Sequence, residues 1–426
     1  MSQASPSRLG DRTLPAIAFA IAAAARVSYL VIFRPPLEGS YLALADSLVS
    51  SGVLGFGGVP STSFEPIYPA FLAAGRMLLG DRTLAIQIVQ ACLAAAGAAL
   101  TCRLALRLTS SRRTAAIAGL MFALHPLLIR QAAAATDLGV TAAMLAGFAA
   151  SFVAIGGTWS AAATGAWLGL TVLTRSMTVP LVVLSAVILA ARRQFREAAA
   201  LSFTAIVFIA PMVARNFALS GAPWPGRSGI NLFIGNSPHT SALLPTYDLD
   251  LLEADAYDRF IRASPHAASD GGSDAAFDAF LTGEAIRYMA EHPWATARQK
   301  LLNVAYMLSP RITPYEVSGR QTRLRVEDGR VLGVEGSVRR RGSEIAAHAV
   351  TSLVLLVGGA AGVYRRRRAL VRSDAILWAI FGTFVVINAV YVPATRYTGP
   401  MQFVLIFYAA VAFARPGEGL RDAAVA

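Results

Sequence analysis

Lysine is almost missing from this 426-residue chain: 37 of its 38 basic residues are arginine, and Lys300 stands alone. So one-sided a choice follows genome composition before it follows function. Cysteine is scarce too. Cys92 and Cys102 share one apolar run, about 15 Å apart if that run is helical, so no disulfide framework is expected. Charge is thin, at 15% of residues against roughly 25% in a soluble domain. No glycine-rich phosphate loop follows a strand pattern, which removes support for a nucleotide-sugar fold. No Cys/His spacing suits zinc, and no Gly-x-Ser-x-Gly elbow suits a hydrolase. No internal repeat is visible, so the inverted-repeat signature of many secondary transporters is absent.

What the chain has instead is apolar residues, 55% of the total, with a mean hydropathy of +0.53. They fall in runs near the length that crosses about 30 Å of hydrocarbon. Ten spans are expected, at 14–33, 84–106, 114–130, 137–155, 161–174, 177–191, 198–217, 345–363, 374–393 and 397–414. The short fifth and sixth read as a helix pair breaking near Arg175. Net charge is +13, but the arginines cluster in short loops between apolar runs. That is the positive-inside pattern of a membrane protein, and it speaks against nucleic acid. With ten spans, Arg107, Arg112, Arg113, Arg192, Arg193, Arg196 and Arg365–Arg368 are all cytoplasmic, as are both termini. No small-residue cleavage site precedes Arg34, so the first run reads as a retained span.

Two regions then lie outside. Residues 34–83 hold two amphipathic patterns, LALADSLVSSGVL and PIYPAFLAAGRMLLG, the second opened by Pro66 and Pro69. Residues 218–343 carry 14 of the 25 acidic residues and read as a small outer domain of helices and loops. The chain thus divides into an N-terminal membrane module (1–217), the outer domain (218–343) and a C-terminal membrane module (344–426). Within the outer domain, 297–309 reads as an interfacial or re-entrant helix.

Ionisable groups at membrane depth are expensive and tend to line a cavity or pathway. Here Glu38, Glu65, Asp137, Arg175, Arg215, Lys300 and Arg396 collect at the outer ends of spans. Converging cations suit a phosphate and a carboxylate suits proton abstraction, as needed for a phosphate-bearing, lipid-tailed substrate. Arg396 stands out, because it occupies a short outer loop where basic residues should be few. Each group also has a plainer reading. Glu38, Glu65 and Asp137 sit where helices begin, a place that favours acids. Arg175 and Arg215 suit snorkelling to the interface, and Asn231, Gly235 and Asn236 suit a loop turn.

The stretch GSYLALADSLVSSGVLGFGG followed by STSFEPIYPAFLAAG resembles the first outer loop of GT-C fold glycosyltransferases, of the protein O-mannosyltransferase and aminoarabinose-transferase type. LTRSMTVPL, PMVARNFALSG, NLFIGNSP, EHPWATARQKLL and TRYTGPMQFVL resemble further motifs of that group, in the same order. The resemblance implies an all-α polytopic GT-C fold and transfer of a sugar from a polyprenyl-phosphate donor on the outer face, with inversion. It puts Glu38 at the catalytic carboxylate, as a glutamate where the group has an aspartate, with Glu65 and Asp137 as further acidic candidates. Tyr41, Tyr68, Arg175, Arg215, Asn216, Asn231, Asn236, Lys300, Arg396 and Tyr397 are the matching substrate-binding candidates. No metal is required by the group, although Glu38 and Asp137 could share a divalent ion with a phosphate. The implied partners are the donor, membrane lipid and an acceptor of unknown class, in the plasma or inner membrane. A transporter or flippase, and a non-catalytic relative of the same fold, are the alternatives.

Overall fold

The computed structural model describes residues 7–37, 39–263, 274–327 and 330–414. Glu38, the foremost carboxylate of the sequence reading, lies outside the described residues. Every expected span has a helix in its place. They are α1 (Ser7–Phe33), α4 (Thr83–Thr109), the pair α5 (Arg112–Ala123) and α6 (Pro126–Ala133), α7 (Leu138–Val153), and α8 (Thr158–Thr174). They continue with α9 (Pro180–Ala191), α10 (Phe195–Ser220), α16 (Gly342–Arg365), α17 (Ala375–Val390) and α18 (Gln402–Phe413). Among the described residues, α1, α4, α10 and α16 are each long and apolar enough to cross a membrane, and α5 with α6, bent by 50°, reach that length only together, as a broken span or a re-entrant loop. The others are shorter apolar helices. Ile32, Phe203, Val187 and Val350 lie more than half exposed on α1, α10, α9 and α16, which suits lipid rather than water. The protein is multi-pass and its membrane part is helical.

Small residues let these helices approach. A Cβ on Gly165 would meet the Leu201 carbonyl oxygen at 2.2 Å, and one on Gly362 the Tyr408 oxygen at 1.8 Å. Those glycines set the α8/α10 and α16/α18 contacts, as expected where lipid removes the hydrophobic drive between helices. One apolar cluster spans this bundle, built heavily from alanine. On the arginine-rich side, Arg366 and Asp374 pair within it at 2.6 Å, and Asp374 also accepts the Tyr408 hydroxyl.

Outside the bundle, α2 (Ser40–Ser51) and α3 (Ile67–Leu79) occupy the first loop as the amphipathic patterns predict. Between them a tight antiparallel pair, β1 (Gly55–Phe56) and β2 (Val59–Pro60), turns the chain. The second region contains α11 (Ser228–Gly235), α12 (Thr240–Leu243), α13 (Leu252–Ala263), α14 (Asp274–Glu291) and α15 (Pro293–Met307). The last of these covers most of the expected 297–309 helix. The region also holds something the expectation of helices and loops lacked: an antiparallel hairpin of β3 (Glu316–Glu327) and β4 (Arg330–Arg339). Its charged residues (Arg323, Arg325, Glu335, Arg339) interrupt any clean apolar alternation, so the two-residue period is faint in sequence.

Candidate functional site

A cavity of about 800 Å³ lies where the first loop, the outer region and the ends of the spans meet. Its floor begins at a break. Arg175 ends α8 in an extended conformation (φ −156°, ψ 103°) before the short 3-10 turn Ser176–Thr178 leads to α9. The break that the sequence suggested is therefore a means of presenting a side chain. Arg175 Nη1 donates to both oxygens of Asp137, at 3.2 and 3.0 Å. Asp137 precedes α7, as its helix-start reading requires, yet its side chain caps no backbone N–H. Instead it is 1% exposed and also accepts the hydroxyls of Tyr41 (3.2 Å) and Thr141 (3.3 Å). Arg175 is thus half-buried and paired rather than snorkelling.

Tyr397, in the 3-10 turn Thr395–Met401, stands between two cations. Its ring faces the Arg175 guanidinium at 5.2 Å and that of Arg396 at 4.8 Å, within the range of cation–π attraction. Arg396 is not the free cation that its sequence position suggests. It donates to Asp248 at 2.9 Å, Asp250 at 2.6 Å and the Tyr397 hydroxyl at 3.1 Å. The same arrangement recurs around the wall. Arg227 pairs with Glu253, and Arg130 and Arg340 share Glu344. Five arginines and five carboxylates line the cavity among the described residues, so its formal charge balances.

Glu65 closes one side. Its Oε1 accepts the Ser176 backbone N–H at 2.8 Å. Burial raises its carboxyl above the ordinary value, with the Ser176 hydrogen bonds opposing. Burial, then the neighbouring Asp137 charge, holds the Tyr41 phenol well above its usual range. Burial also raises Asp248 against the pull of Arg396, and Glu253 against that of Arg227.

Of the residues put forward from sequence, Glu65, Asp137, Tyr41, Arg175, Asn231, Arg396 and Tyr397 line the cavity, as does Ser40. Others brace its surroundings. Tyr68 is buried with its hydroxyl on Gln90. Arg215 ties α10 to the first loop through the Leu54 and Ser61 carbonyls, and Asn216 accepts from it. Asn236 and Lys300 both donate to the Val390 carbonyl, binding the outer region to the end of α17. Burial lowers Lys300 to about 8. Sequence reasoning missed Arg130, Arg227, Arg340, Asp248, Asp250 and Glu253. An excess of acids after residue 218 was the only hint of the last three.

Two neighbours adjoin this cavity. One, of about 330 Å³, shares Arg175, Asn231 and Tyr397 with it and is walled by Met177, Val179, Pro180, Trp224, Ile387 and Val392. The other, of about 600 Å³, shares Ser63, Arg227 and Glu253 and carries Tyr257, Phe260 and Phe277.

No protein-family profile and no curated protein matches the chain. Among solved structures it is similar to ArnT from Cupriavidus metallidurans bound to undecaprenyl phosphate. There the identity is 15% and the TM-score 0.40, over 96% of this chain and 78% of that one. Against the same protein in the apo state the identity is 16% and the TM-score 0.37, over 89% and 73%. A likeness this distant carries no functional argument; the residues of the cavity do.

Proposed function

We propose that the protein is an integral membrane glycosyltransferase of GT-C type that moves a sugar from a polyprenyl-phosphate donor to an acceptor on the outer face, with inversion. The observation that carries this reading is the joining of the arginine- and carboxylate-lined cavity to a smaller one, apolar along the wall of Met177, Val179, Pro180, Trp224, Ile387 and Val392, through Arg175 and Tyr397. A lipid phosphate calls for both kinds of wall side by side. Charge-assisted hydrogen bonds hold the phosphate, and the apolar wall takes the first units of the tail.

In this proposal Arg175 and Arg396, on either side of Tyr397, flank the phosphate, with Asp137 fixing the direction of Arg175. A carboxylate of the first loop removes the proton from the acceptor hydroxyl or amine. Glu38 is the first choice, and Glu65 is the described first-loop carboxylate on the cavity wall. The acceptor atom forms a bond to the anomeric carbon as the bond from that carbon to the phosphate oxygen breaks. Polyprenyl phosphate departs with an added negative charge, which the flanking guanidinium groups stabilise as it develops. The aromatic-walled cavity beyond the Arg227–Glu253 pair is the acceptor side. Among the described residues no three His, Cys, Asp or Glu side chains gather as a metal site.

Donor recognition is tested with purified protein. Polyprenyl phosphate should raise the thermal midpoint with the logarithm of its concentration once that exceeds the dissociation constant, whereas polyprenol, with the same tail and no phosphate, should leave it nearly unchanged. Equal effects of the two would reduce the site to an apolar groove. Orientation is tested in intact cells, in a background lacking Cys92 and Cys102. A cysteine at the exposed Val59 should react with an impermeant thiol reagent. One at the exposed Arg193 should react only after permeabilisation. The reverse pattern would place the cavity on the cytoplasmic side.

A further inference from the structure

The break between α5 and α6 holds a charge that the proposed reaction does not use. Arg26 lies on α1, two turns or about 10 Å from its end at Phe33, and is 1% exposed. Its Nη1 donates to the carbonyls of Ala22 and Ala123, both at 3.1 Å, and the guanidinium lies over the Phe122 ring. The Ala123 bond has a plain cause, since α5 ends there and leaves carbonyls without helical partners. It uses one nitrogen of three. Nε and Nη2 are buried without a hydrogen-bond partner, and the hydrogen bonds of Arg26 among the described residues go to carbonyls alone.

The second half of the break points the same way. His125, between the two helices, is 5% exposed, and its Nδ1 has no partner either. Pro126 then opens α6, whose first turn offers unbonded backbone N–H groups and the positive end of the helix dipole. His348 on α16 stands nearby, held to Ser352, and brings no negative charge. A cation at membrane depth with no counter-charge is among the most costly groups to bury. Discontinuous membrane helices commonly direct such half-helix N-termini at anions.

The geometry points to a binding site for one small monovalent anion, a halide, held by Arg26 Nε and Nη2, His125 Nδ1–H and the first turn of α6. A single guanidinium calls for a single negative charge. The walls here are Ala22, Ala123 and Phe122, all closed to solvent, which suits a bare ion rather than a phosphate ester. The occupied site neutralises Arg26 and fixes the angle at which α6 leaves α5. That angle matters above, because α6 carries Arg130 and Gln131 to the large cavity, where Gln131 donates to the Arg396 carbonyl. The inference stands without the proposed function.

The test uses the full-length protein in detergent, in sodium chloride or bromide against sodium gluconate at equal ionic strength. Raising halide to about 0.2 M should lift the thermal midpoint by about 2–4 °C, and Arg26→Gln should melt alike in both salts. Bromide, located by its anomalous scattering in crystals of the unaltered protein, should lie between α1 and the α5–α6 break. Equal midpoints for the unaltered protein in the two salts would overturn the site. So would a halide effect undiminished in Arg26→Gln, or bromide found only elsewhere. Should Arg26→Gln fail to fold, the salt comparison and the bromide position in the unaltered protein decide.

Discussion

Replacing Glu38 by glutamine is expected to slow sugar transfer by about two to four orders of magnitude, with expression and affinity for polyprenyl phosphate little changed. Glutamine keeps the size and much of the hydrogen bonding of glutamate but cannot take the acceptor's proton. Position 38 is flanked by chain that reaches the cavity, since Ser40 and Tyr41 both line it. The comparison that gives the result meaning is Glu65→Gln. Glu65 borders the same cavity, and its raised proton affinity comes from burial, so it is the described group best suited to take over. Near-normal turnover in Glu38→Gln with collapse in Glu65→Gln would move the base by one residue of the loop's acidic pair. Near-normal turnover in both would remove the first loop from the chemistry. Asp137 makes a poorer base, because Arg175 engages both its oxygens and leaves neither free to take the acceptor's proton.

Arg396 gives the second large effect, and here the structure changes what should be measured. From sequence alone, Arg396→Ala is expected simply to remove a phosphate ligand. The guanidinium is already held by Asp248 and Asp250, so a phosphate must share it with them or displace them. Arg396→Ala should lower transfer by about 10²–10³-fold. Arg396→Lys should also be clearly impaired, because a single ammonium cannot keep the aspartates and grip a phosphate through two parallel hydrogen bonds. The informative variant has the opposite sign. Asp248→Asn with Asp250→Asn frees the guanidinium and should tighten binding of polyprenyl phosphate several-fold, at some loss of thermal stability because the half-buried cation loses its partners. Unchanged phosphate affinity in both the Arg396→Ala and the double-asparagine proteins would mean that the phosphate sits elsewhere, with Arg175 the next group to replace.

Much of the membrane part was legible beforehand because lipid imposes a length and a composition on anything that crosses it. The positions of α1, α4, α10 and α16 follow from apolar runs, and the break at Arg175 from a charge between two short ones. The hairpin β3–β4 was not legible. Its strands lie outside the bundle and are rich in arginine and glutamate, so no apolar face announces them. The site was legible in half its members. Asp137, Arg175 and Arg396 are conspicuous as charges at span ends, where their cost calls for a reason. Asp248, Asp250 and Glu253 lie in a region full of acids, where nothing local separates a cavity wall from a solvated surface.

Sequence by itself therefore determined that this is a multi-pass helical membrane protein, where its apolar helices fall, and that charges gather at one end of them. Each of those is a one-dimensional property, fixed by the cost of moving residues from water into hydrocarbon. Only the tertiary structure decided how the charges are spent. It paired Arg175 with Asp137 across 38 positions of chain and Arg396 with Asp248 across 148, set Tyr397 between the two cations, and assigned Lys300 and Asn236 to bracing. It also left two nitrogens of Arg26 unpartnered beside a broken helix. Coulomb attraction and hydrogen bonding act over a few ångströms, so the partner a charge finds is a matter of which elements fold against it, and no local pattern along the chain encodes that.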